Sequence, residues 1–107
     1  MSDLPVACSL SVPALREREA GLLRSLADRV EQREEIENGL RLRFPAEEIV
    51  LADIAELIRL ERACCPFLRF ELTVEPSGGP LHLQLSGPPG TREFLAGLPL
   101  GAPPRSQ

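Results

Sequence analysis

Three short segments alternate apolar and polar residues with a period of two. Arg41 and Arg43 separate Leu40, Leu42 and Phe44, while Arg69, Glu71 and Thr73 separate Leu68, Phe70, Leu72 and Val74. His82 and Gln84 separate Leu81, Leu83 and Leu85 in the same way. Successive side chains of a strand point to opposite faces, so each segment predicts a strand with one buried and one solvated face. A sheet built from such strands must have its apolar face covered by a second layer.

The stretches between the strands supply that layer. Val6 to Leu10 is a short apolar run, after which Ser11 can cap a helix and Pro13 suits its first turn. Leu15, Leu22, Leu23, Leu26 and Val30 recur at helical spacing among Arg and Glu residues, which predicts a first helix over 13–31. Pro45 stops the strand before it, and Glu47 and Glu48 suit the positive end of a second helix over 46–64. Asn38-Gly39 tolerates the positive φ of a tight hairpin turn, and Pro76 to Pro80 is turn chemistry. Thr91 can cap a short last helix through Leu95. The expectation is one α+β domain over 1–97, a two-layer sandwich with a mainly antiparallel sheet under two amphipathic helices. A flexible Pro-rich tail over 98–107 completes the chain.

Length and composition agree, since 107 residues suit a single core and 43% hydrophobic against 26% charged residues is ordinary globular usage. The net charge is −4 and the twelve basic residues, all Arg, are dispersed from Arg16 to Arg105. There is no Trp or Tyr to stack on bases, so nucleic acid is not an expected partner of this chain. Met1 to Pro5 has no signal-peptide character and no segment is long enough to span a bilayer, so a cytoplasmic protein without membrane contact is expected. In a reducing compartment an odd count of three cysteines points to thiols.

The chemically pointed feature is the pair Cys64 and Cys65 at the end of the second helix. As small hydrophobes both could simply pack in the core. As vicinal thiols they could hold a soft, thiophilic ion, such as Hg, As or Zn, or react with a thiol-reactive effector. The spacing lacks the two-residue gap of a zinc knuckle, and the C-terminal end of a helix raises rather than lowers a thiol pKa. Cys8 on the first apolar run could supply a third sulfur to the same pocket.

Val50, Ile54, Leu57, Glu61, Cys64 and Leu68 keep to the 4,3,4,3 spacing of a buried seam, which Glu61 interrupts. Either Glu61 reaches solvent and pairs with Arg59 or Arg62, or it is a buried functional carboxylate beside the thiols. In the second case it titrates above the ordinary Glu value, because desolvation disfavours its charged form. Glu61 and Arg62 are therefore supporting residues of the expected site. His82, the only histidine, alternates onto the polar face of another strand, which leaves the thiols without the base a nucleophilic cysteine needs. No catalytic residues are assigned.

Three stretches, Cys8-Ser9-Leu10, Asn38 to Pro45, and Glu61-Arg62-Ala63-Cys64-Cys65-Pro66-Phe67-Leu68-Arg69-Phe70, together resemble a small bacterial domain family with paired cysteines. That family occurs free-standing and also fused behind the DNA-binding part of MerR-type regulators. The resemblance runs on through Leu81 to Leu95, and this chain lacks the helix-turn-helix of the fused form. It implies an effector-responsive or metal-responsive site without an established reaction. Two functions are expected from it. One is a soft-metal or metalloid site at Cys64, Cys65 and Cys8. The other is a non-catalytic effector-binding or dimerisation module, a homodimer, in which the cysteines are structural.

Overall fold

The structure, a computed structural model, describes residues 13–98 and residue 100. Its elements run α1 (Pro13–Ala27), β1 (Gln32–Ile36), β2 (Gly39–Phe44), α2 (Glu48–Cys64), β3 (Arg69–Val74), β4 (Leu81–Ser86) and α3 (Thr91–Ala96). The strands form one fully antiparallel sheet in the order β1-β2-β4-β3. This is the α+β two-layer sandwich that the alternation predicts. Among the described residues, no helix is long and apolar enough to cross a membrane.

The register explains why one sheet face is the core. Leu40, Leu42 and Phe44 of β2 stand opposite Leu85, Leu83 and Leu81 of β4, and all six are buried. Leu22, Leu23 and Leu26 of α1, Val50, Ile54, Leu57 and Leu60 of α2, and Leu95 of α3 close over them. The other face carries Arg41, Arg43, His82, Gln84, Arg69 and Glu71, as the alternation requires.

Several boundaries move. Helix α1 ends at Ala27 rather than 31, because the chain turns through Asp28 and Arg29 and Val30 packs on the core from the connection to β1. Leu15, assigned to the buried stripe, is 37% exposed. Helix α2 begins at Glu48, with Glu47 as an extended N-cap residue. The hairpin loop is Glu37-Asn38 rather than Asn38-Gly39, since Ile36 already pairs with Gly39. Asn38 takes the positive φ of 54°. Gly39 serves close packing instead: a Cβ there would run into the Leu85 backbone carbonyl of β4.

Gly90 is the N-cap residue of α3 in place of Thr91, and the buried Thr91 hydroxyl donates to the Pro88 carbonyl at 2.6 Å. The end of the domain also extends beyond Gly97. Leu98 packs on the core, Leu100 is 3% exposed, and Arg33 of β1 donates to the Leu100 carbonyl at 2.7 Å.

The two long helices are tied by a bridge on their surface. Glu56 of α2 accepts from Arg18 of α1 at 2.9 Å and from Arg59 at 2.7 Å. The Arg59 and then the Arg18 hydrogen bonds hold the Glu56 carboxyl at a pKa of about 2, below its ordinary 4.5. A lowered folded pKa stabilises the fold above the unfolded value, and that contribution is lost as pH falls through the folded one. Acid unfolding of Glu56→Gln should therefore be flatter than wild type between about pH 4.5 and 2. Equal slopes in that window would exclude this role for the bridge.

Candidate functional site

Helix α2 ends where it does because a proline lies just beyond it. A residue before proline is driven out of the α region, and Cys65, preceding Pro66, sits at φ −125° and ψ 71°. Its N–H still donates to the Glu61 carbonyl at 2.6 Å, while its own carbonyl accepts from Leu68 N–H at 3.1 Å. The chain thus turns over Cys65-Pro66-Phe67 into β3. Cys65, four residues after Glu61 and on the same side of α2, is 1% exposed. Phe67 packs on it, and Phe67 in turn meets Phe94 of α3 edge to face with centroids 5.1 Å apart.

Glu61 is buried too, at 3% exposure, on the stripe Val50, Ile54, Leu57, Glu61. Of the arginines that spacing offers it, Arg59 binds Glu56 instead and Arg62 is exposed. What lies beside Glu61 is a residue that motif and spacing did not single out. Glu19 of α1, half-buried, brings a carboxylate oxygen into a group with a Glu61 oxygen and the Cys65 sulfur, all within 4.8 Å of one another. A signal for it was present. Glu19 lies four residues after Leu15 and three before Leu22, so it interrupts the α1 stripe as Glu61 interrupts that of α2.

Two carboxylates and a thiol meet where the carbonyls of the last turn of α2 carry the negative end of the helix dipole. Carboxylate oxygen and cysteine sulfur are both metal ligands, so the chemistry that this group offers is coordination of a cation. Sulfur together with carboxylate oxygen suits a borderline divalent ion such as Zn(II).

Cys64 closes α2, but its side chain and the whole of Cys8 lie outside the described residues. The expected three-sulfur pocket falls there with them. His82 is remote in the fold, on the outer sheet face opposite Arg43 and Thr73. There it lines a shallow depression of ≈ 220 Å³ with Gln32, Glu34, Arg41, Leu42 and Arg43. Compared with models of protein families, with curated proteins and with solved structures, the chain matches none.

Proposed function

We propose that this domain binds a thiophilic divalent metal ion at the end of the α1/α2 pair, with Cys65, Glu61 and Glu19 as donors. Cys64 is the adjacent thiol. The observation that carries this reading is the convergence of three ligating atoms, from α1, α2 and the turn after α2, within 4.8 Å, two of the residues being almost wholly buried. A tetrahedral zinc ion with bonds of about 2.0–2.3 Å holds its donors roughly 3.5 Å apart, so a closing of about 1 Å suffices. Zn(II) fits one sulfur with two carboxylates, whereas Hg(II) or As(III) would draw on Cys64 and Cys8 as further sulfurs. The family that the sequence resembles also occurs fused to MerR-type regulators, whose relatives respond to heavy metals or small molecules, and an ion-responsive site is in keeping with that resemblance.

Cobalt(II) reports this site directly. Titration should give a stoichiometric thiolate-to-metal charge-transfer band, displaced by Zn(II), and Cys65→Ser should abolish it. Glu61→Gln and Glu19→Gln should each weaken the apparent affinity by about 10- to 100-fold. A band that survives Cys65→Ser but disappears in Cys64→Ser or Cys8→Ser would move the site to those sulfurs. No band at all would leave a second reading, favoured by the packing of Cys65 against Phe67, in which the thiol is structural and the domain is an interaction module.

A further inference from the structure

The two edges of the sheet are built differently. At the β1 edge, charged residues point toward the core side: Arg33 stands opposite Leu42 and Glu35 opposite Leu40. Arg33 is occupied by the Leu100 carbonyl and Glu35 lies 4.0 Å from Arg92 of α3. Inward-pointing charge is one of the devices by which sheet edges avoid pairing with other chains.

Among the described residues the β3 edge has no such protection. Its core-side residues, Phe70, Leu72 and Val74, are all apolar, and none is fully buried, while their neighbours on β4 are closed off. Val74 is 56% exposed. Among the described residues, β3 makes backbone hydrogen bonds on its β4 side alone.

We infer that β3 is a self-association edge, which pairs antiparallel with β3 of a second copy of this chain, Phe70 facing Phe70, to form a continuous eight-stranded sheet. Charge selects the register. A two-fold pairing centred on Phe70 sets Arg69 opposite Glu71 of the second copy, twice by symmetry. Centring on Arg69 or on Glu71 would oppose like charges, and centring on Leu72 would leave Glu71 against Thr73. On the core side the Phe70 register joins the two aromatic rings and sets Leu72 against Leu68 of the second copy. Within one chain Arg69 and Glu71 are 3.3 Å apart, and Gln84 reaches Glu71 only at 3.4 Å. Both contacts are long, and both charged side chains are well exposed and able to turn to a partner.

Sedimentation velocity across micromolar concentrations tests this with two exposed substitutions that leave the core untouched. Wild type should dimerise. Arg69→Glu and Glu71→Arg should each weaken the dimer about tenfold, since each sets like charges opposite one another. Mixing the two variants should restore wild-type association, as should the double swap Arg69→Glu/Glu71→Arg, because only a register that opposes 69 and 71 regains both pairs. A monomer at every concentration would overturn the proposal, and so would a dimer that ignores these charges or fails to recover on mixing.

Discussion

Replacing Phe44 with alanine should destabilise the domain by about 3–5 kcal/mol, a large share of the roughly 5–15 kcal/mol that holds a domain of this size together. Phe44 is fully buried at the end of β2, opposite Leu81 of the central strand β4, so its removal leaves a cavity that neighbours on both layers cannot collapse into. The comparison is Val74, which flanks Leu81 from the other side in the same row of the sheet. Val74 is 56% exposed, and Val74→Ala should cost less than about 1 kcal/mol. Urea unfolding of the two variants checks the pair. Equal losses would mean that the core does not sit on the β2/β4 centre.

Glu61→Gln should lose about half or more of the stability that Zn(II) confers. Glu61 is 3% exposed, and a carboxylate oxygen of it lies within 4.8 Å of ligand atoms of Glu19 and Cys65. At a hundredfold excess of Zn(II) over its dissociation constant wild type gains about 2.7 kcal/mol. A variant that binds about 10- to 100-fold more weakly gains only about 0.4–1.4 kcal/mol at the same zinc concentration. Denaturant midpoints measured in chelator and in zinc should therefore lie further apart for wild type than for Glu61→Gln. An equal zinc-induced shift in the two proteins would remove Glu61 from the donors and make it a structural residue.

Much of the fold was legible because local rules and tertiary packing agree. The alternation from Leu40 to Phe44 and from Leu81 to Leu85 needs only the two-residue period of a strand, and those apolar residues are the buried face. Where local rules compete, the sequence is less decisive. Both Asn38 and Gly39 suit a turn, and what assigns them different tasks is the β4 backbone lying against Gly39, a contact between residues far apart in the chain. Leu98 to Leu100 reads as tail because prolines and glycines surround it, yet Arg33, more than sixty residues earlier, holds the Leu100 carbonyl.

The candidate site divides along the same line. From sequence alone, periodicity put Glu61 on an apolar stripe and Pro66 marked where the helix must stop. These are properties of one helix and one peptide bond, and they need no partner. The pairing of Glu61 and Cys65 with Glu19 was settled only by the packing of α1 on α2. Two stripes, each interrupted by one carboxylate, do not say which residues meet, because that depends on how the helices are aligned over the sheet that they cover together. The end of the helix at Cys65 is local chemistry, whereas the company that Cys65 keeps is a consequence of the assembled core.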